Sequence, residues 1–212
     1  MSDTLSGVRR TTKADGTPSR YHPTLVALHW ISAVVVGLAF ATGKLWLEQM
    51  PNSPSDKVLL LGVHMALGMG ILGLTIARLF VRILTPRPKR VATGSALLDA
   101  MAVVTHHSLY VALLLMAVSG LATAIMAGYP AIVLGGIAGP LPDTSHLVPR
   151  LVHGVMSWVI ILLVAMHVLG ALYHHVIRND GLLSRMWFSE WAGTAIVPGL
   201  PQICSTTTTL LA

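Results

Sequence analysis

Residues 151–175 read LVHGVMSWVIILLVAMHVLGALYHH. The run is apolar and long enough to cross a bilayer, yet it carries His153 and His167 well inside it. A hydrocarbon core of about 30 Å takes roughly 20 helical residues, and an ionisable side chain at membrane depth is costly enough to mark a functional position. The spacing supplies a reason. Fourteen positions at about 3.6 per turn return to within about 40° of the same face, about 21 Å further along the axis. One helix face therefore carries two histidines, one toward each membrane surface. A helix that gives one axial ligand to each of two stacked haems needs this arrangement, and the second ligand of each must come from another helix.

Composition sets the frame for that helix. Of 212 residues, 54% are hydrophobic and only 10% charged, and the mean hydropathy is +0.72, values of an integral membrane protein rather than a soluble domain. Three further apolar runs make four spans, at about 24–47, 55–84, 97–127 and 151–177. The connection after the first is short and turn-like, with Pro51, Asn52 and Pro54, so the first two helices are antiparallel neighbours. Pro86 and Pro88 close the second span. The loop 128–149, rich in Gly and Pro yet apolar, reads as a cap on the outer membrane surface. The predicted fold is all-α, an up-down-up-down four-helix bundle.

Charge gives the orientation. Of the 14 Lys and Arg residues, only Lys44, Lys57 and Arg150 fall on the side of the first and third connections. The others flank the opposite ends of the spans, and by the positive-inside rule that side, with both termini, is cytoplasmic. The excess of +6 is thus topological, and nucleic acid is not an expected partner. On the outward side Lys44, Lys57 and Arg150 are balanced by Glu48, Asp56 and Asp143, which leaves no cationic field to steer an anionic donor.

The chain divides into a polar arm over residues 1–22, a transmembrane dihaem domain over 23–186, and residues 187–212, an interfacial segment with Trp187 and Trp191 followed by a disordered tail. No short apolar core with a cleavage site precedes the first span, so no removable signal peptide is expected. The lone Cys204 excludes an internal disulfide and any four-cysteine metal site.

Topology then pairs the histidines. His29 lies early in an outward-running helix and His167 late in an inward-running one, so both fall toward the inner side. His64 and His153 both fall toward the outer side. The residue four places after each is small, namely Ala33, Gly68, Ser157 and Ala171, which leaves room for a porphyrin one turn from its ligand. Small residues also suit plain helix contacts. Hydrogen-bonding or proton-handling roles are the alternative for any single histidine, whereas two pairs about 21 Å apart do not form a full copper or zinc ligand set.

Arg78 lies fourteen residues after His64 and is a candidate partner for a haem propionate, alongside its ordinary reading as a positive-inside anchor. His106 and His107 point about 100° apart, so at most one faces the bundle core, and the same holds for His174 and His175. His106 is a candidate propionate contact and His174 a candidate quinone contact.

The ordered set resembles the prokaryotic cytochrome b561 family, dihaem four-helix proteins of the bacterial inner membrane. The resemblance runs from about Tyr21 to Trp187. It rests on His29-Trp30, His64 with Arg78, His106 and Tyr110 ahead of Ser119-Gly120, and the pair His153 and His167. It continues through His174-His175, Asp180, Leu183, Arg185 and Met186. It implies two b haems, one between His29 and His167 and one between His64 and His153, and single-electron transfer across the membrane to or from quinone. One activity it implies is oxidation of superoxide outside with reduction of ubiquinone inside. A haem-bearing membrane anchor for a separate periplasmic or cytoplasmic redox partner is the alternative that keeps the haems. A haem-free, histidine-dependent proton or metal transporter is the alternative that does not.

Overall fold

The structure, a computed structural model, describes residues 20–51, 55–89, 93–136 and 141–187. Helix α1 runs Pro23–Phe40 and continues as a π-helical segment, Ala41–Leu47. Its start has the expected signals. Pro23 occupies the first turn, where its missing N–H costs nothing, and the His22 ring accepts a bond from the Thr24 amide at 3.3 Å. Helices α2 (Ser55–Leu84) and α3 (Ala96–Met126) follow. The entry to α3 is locked by Asp99, whose Oδ1 accepts from the Thr93 amide at 2.9 Å and the Thr93 hydroxyl at 2.7 Å.

Gly128, at φ 70°, turns the chain into a short helix α4, Tyr129–Gly135. This helix lies against the outer end of α2, with a Val133 methyl 2.9 Å from where a Cβ on Gly62 would sit. Helix α5 runs Val148–Leu172 and also continues as a π-helical segment, Tyr173–Arg178. Asn179, left-handed at φ 46°, ends it. A 3₁₀ turn, Leu183–Met186, brings the chain back to α1, where Trp30 Nε1 donates to the Met186 carbonyl at 2.8 Å and meets Trp187 edge-on.

Four of these helices are long and apolar enough to cross a membrane, spanning Pro23–Leu47, Asp56–Leu84, Ala96–Met126 and Val148–Arg178. Among the described residues there is no strand, so the all-α, four-span reading holds. Successive spans are antiparallel, and the end that carries Pro23 and Arg178 is called the inner end after the orientation expected from the sequence. Helix α1 packs on α2, α2 on α3, and α3 most extensively on α5. Helices α1 and α5 meet mainly through their side chains.

The interior is built of small and hydroxyl residues, with Ser32, Ala39, Thr42, Thr75, Ala112, Ser119, Thr123 and Ser157 all buried. Membrane helices associate through such residues because lipid removes any hydrophobic drive to bring large ones together. Their hydroxyls are satisfied on their own helices: Ser32 donates to Leu28, Thr123 to Ser119 and Ser157 to Gly154 carbonyls at 2.6–2.8 Å. Large residues such as Val34, Phe80, Leu151 and Trp158 point outward toward lipid. Among the described residues no large side chain is fully buried, and the buried apolar residues include Leu25, Leu61 and Ile160.

Candidate functional site

Two layers of side chains line the gap between the helices. The inner layer holds His29 of α1, Arg78 of α2, His106 of α3 and His167 of α5. The outer layer holds His64 of α2 and His153 of α5, with Gly43 and Gly120 against their rings. Each helix contributes one residue to each layer, fourteen positions apart.

In the inner layer the His29 and His167 rings face each other with centroids 5.9 Å apart at 71°. His106 stands edge-on to His167 at 5.1 Å, and its Nδ1–H donates to the Ala102 carbonyl at 2.5 Å. The Arg78 guanidinium lies 5.6 Å from the Tyr110 ring centre, with Arg82 at 5.8 Å from the same ring. Arg78 Nε is buried and has no hydrogen-bond partner among the described residues. An orphaned guanidinium nitrogen is costly, and it marks the place where an anionic group belongs. His106, its Nδ1–H already used, meets such a group as a donor only in its protonated form.

In the outer layer His64 and His153 face each other at 6.1 Å and 79°. Here the ring nitrogens are assigned by their surroundings. His153 Nδ1 lies 3.0 Å from the Met116 carbonyl, an acceptor, so it carries the hydrogen. The Ser119 hydroxyl, which donates to the same carbonyl, is 3.5 Å from that nitrogen. His64 Nδ1 lies 3.1 Å from Thr42 Oγ1, whose hydrogen is directed to the Leu38 and Ala39 carbonyls at 2.9 and 3.0 Å. Thr42 therefore accepts from His64 Nδ1–H. Both rings are left with a free Nε2 lone pair.

The glycines explain how the rings fit. A Cβ on Gly43 would stand 2.9 Å from His64 Cε1, and a Cβ on Gly120 2.9 Å from His153 Cε1. Neither glycine is a candidate in the sequence reading, although fourteen residues after His29 is Gly43 and fourteen after His106 is Gly120.

Beyond the layers, His174 Nδ1 bonds Asp180 Oδ2 at 2.6 Å, and Asp180 Oδ1 accepts from the Leu182 amide at 3.1 Å. Burial works against ionising Asp180, but the His174 and Leu182 bonds outweigh it, and its carboxyl is held below the ordinary range. His174 and Asp180 are 12% and 16% exposed, so the pair is sheltered at the inner end. His175 is exposed. At the outer end a cavity of about 530 Å³ is lined by Lys44, Asp143, Arg150 and Trp158 among others. Glu48 ties Lys44 at 3.0 Å and Arg150 at 3.7 Å, and Lys44 Nζ lies 5.0 Å from the Trp158 ring centre. Trp191 and Cys204 lie outside the described residues.

The family model described as prokaryotic cytochrome b561 matches residues 20–189. The chain belongs to the prokaryotic cytochrome b561 family. Cytochrome b561 homolog 2 of Escherichia coli (strain K12) is 29% identical over 174 residues, covering 80% of this chain and 92% of that one. Cytochrome b561 homolog 1 of the same organism is 27% identical over 173 residues, 79% and 97%. A protein of Yersinia pestis named probable superoxide oxidase CybB is 25% identical over 175 residues, 79% and 95%. The protein is a multi-pass bacterial membrane protein of electron transfer, and haem b is the cofactor its family implies.

The residues present fit that cofactor. Two metal–imidazole bonds of about 2 Å in line, plus the distance from each nitrogen to its ring centre, come to roughly 6 Å. The two facing pairs stand at 5.9 and 6.1 Å. The outer rings carry Nε2 atoms with no hydrogen-bond partner among the described residues, Gly68, four residues after His64, has open space where a Cβ would be, and Arg78 Nε is buried without a partner, as fits a site for an anion.

Proposed function

We propose that this protein passes single electrons across the bacterial inner membrane between an outer-face donor and membrane quinone, using two b haems with bis-histidine ligation. The observation that carries the reading is the pair of facing imidazole couples, one toward each end of the bundle, at ring spacings suited to an iron between them. Haem, when bound, would supply reversible one-electron chemistry, with His29 and His167 holding one group and His64 and His153 the other.

The protein's part is to hold and orient. His64 and His153 present Nε2 because their Nδ1–H groups are anchored to Thr42 and Met116. His29 and His167 form the inner couple. Arg78, and His106 when protonated, supply the positive side chains for propionates. At the inner end His174, its Nδ1–H held by Asp180, offers its second ring nitrogen as an acceptor to a quinol hydroxyl, ubiquinol being the expected species. The basic residues of the linker and near the termini support a cytoplasmic position for that end.

The outer donor enters beside Lys44, Arg150 and Trp158, where the cavity opens next to His153. The name of the Yersinia relative supports superoxide as that donor. The charge of the site does not add support, since Glu48 and Asp143 balance Lys44 and Arg150.

Optical spectra of the detergent-purified protein, oxidised and reduced, with pyridine haemochrome counting, test the proposal. Two b haems per chain are expected, with His64→Ala and His29→Ala each removing one. A protein without haem, or variants that lose neither, would sink it. Reduction by superoxide and reoxidation by ubiquinone, followed in the same spectra, then test the donor and acceptor.

A further inference from the structure

The two imidazoles of the outer couple are hydrogen-bonded differently from the two of the inner couple. Among the described residues neither ring nitrogen of His29 or His167 has a hydrogen-bond partner. In the outer couple both Nδ1–H groups are bonded, His153 to a main-chain carbonyl and His64 to the Thr42 hydroxyl, with the Ala39 main-chain carbonyl beside it. Of these acceptors only Thr42 can be varied without touching the backbone.

Its placement is unusual for a membrane threonine. Such hydroxyls ordinarily bond only to the preceding turn of their own helix. Thr42 does this, donating to Leu38 and Ala39 carbonyls, but it sits where α1 widens into the π-helical segment, and its lone pair is turned across to α2. Single π-helical turns within α-helices are frequent at functional sites. Thr42 is only 7% exposed, and the next residue is Gly43, whose missing side chain lets the His64 ring lie against the helix. Thr42 and Gly43 together form a seat for one imidazole: an acceptor for its N–H and a space for its edge.

We infer that Thr42 is a positioning residue that lowers the reduction potential of the outer site by accepting the His64 Nδ1–H bond. An imidazole whose N–H is held by an acceptor is a more basic ligand, and a more basic ligand favours the more highly charged, oxidised iron. No atom is transferred: Nδ1 keeps its hydrogen in both oxidation states, and the one electron gained on reduction is lost again on reoxidation. The inner couple lacks such bonds and faces the Arg78 cation, which favours the reduced form there. Both asymmetries point the electron from the outer site to the inner one.

The inference rests on the two-haem reading, so the experiment separates the two. The full-length protein carrying Thr42→Val, Thr42→Ser or no change is counted for haem and then titrated potentiometrically. The outer couple is identified by repeating the titration in the His29→Ala background. A chain without haem overturns the functional reading before any potential is measured.

With two haems present, Thr42→Val should raise the outer potential by up to tenfold in the one-electron equilibrium, about 59 mV. The inner potential should stay fixed, and Thr42→Ser, which keeps the hydroxyl, should stay within about twofold of the unchanged protein. Unmoved potentials in Thr42→Val, or equal shifts in Val and Ser, overturn the inference, because volume and not the hydrogen bond would then be at work. Should Thr42→Val fail to retain the outer haem, Thr42→Ala is titrated in its place and read in the same way.

Discussion

The two layers of the bundle use the same four helices and the same fourteen-residue interval, yet they are built on opposite plans. In the outer layer, α1 and α3 contribute glycines, and the proposed ligands are braced by neutral hydrogen bonds. In the inner layer, α2 and α3 contribute Arg78 and His106, and the proposed ligands are left without hydrogen bonds among the described residues. A site shaped by missing side chains is vulnerable to added volume. A site shaped by charge is vulnerable to lost charge.

The largest effects follow from that contrast. Gly120→Val or Gly43→Val puts a branched side chain where even a Cβ would stand 2.9 Å from an imidazole carbon. Overpacking of this kind costs on the order of 1–3 kcal/mol where neighbours can shift, and here the neighbour is a proposed iron ligand whose placement the site needs. Haem content should fall from two per chain to one, with the inner signal intact. Gly68→Ala is the matching control: the glycine has open space in the bare protein, so a loss of haem there would mean that the space is the cofactor's own, and full haem content would mean that it is spare.

In the inner layer, Arg78→Gln should leave both haems bound. A unit charge at a distance of order 10 Å and an effective permittivity of about 20 is worth about 1.7 kcal/mol, so the inner couple should fall by roughly fifteenfold to twentyfold in its equilibrium constant. The outer couple should move several times less. Potentiometric titration of the two couples measures both. Equal movement of the two would remove the distinction between the layers. His106→Ala tests the remaining neighbour, with a smaller fall expected, confined to pH values at which His106 is charged.

How much of this was legible beforehand follows from the physics of each feature. The four spans are written in hydropathy, which needs no partner to be read, and the interval between His153 and His167 shows a shared helix face directly. The same interval applied to His29 and His106 would have led to Gly43 and Gly120, but a glycine in a membrane helix has so many ordinary reasons to be there that Gly43 went unmarked and Gly120 entered only as part of the resemblance, with no role. The start of α5 at Val148 rather than near Leu151 was signalled by Pro149 in its first turn. The two π-helical segments and the Thr42–His64 bond were not legible. A widened turn leaves the apolar pattern unbroken, and the bond joins residues on different helices whose relative rotation only packing fixes.

The smallest effect belongs to the His174–Asp180 pair at the inner end, and the sign of the carboxylate's contribution can be worked out. Asp180 is held below the ordinary carboxylate range of about 3.9. A carboxyl lowered on folding contributes stability that is fully present above its unfolded value and is lost as the pH falls through its folded one. The bond to His174 should thus be intact throughout neutral and mildly acidic conditions and fail only in strong acid. Asp180→Asn removes the charge while keeping an acceptor for His174 Nδ1–H, so the tautomer survives and only the charge assistance is lost, of order 1 kcal/mol for a partly sheltered pair. For a chain of this size that is about 2–4 °C in melting temperature. The difference between the two proteins, measured by thermal melting in detergent, should close as the pH falls below the ordinary carboxylate range. An Asp180→Asn protein that melted above the unchanged one at neutral pH would mean that the carboxylate destabilises the inner end. The role proposed for Asp180 in holding His174 toward a quinone would then have to be given up.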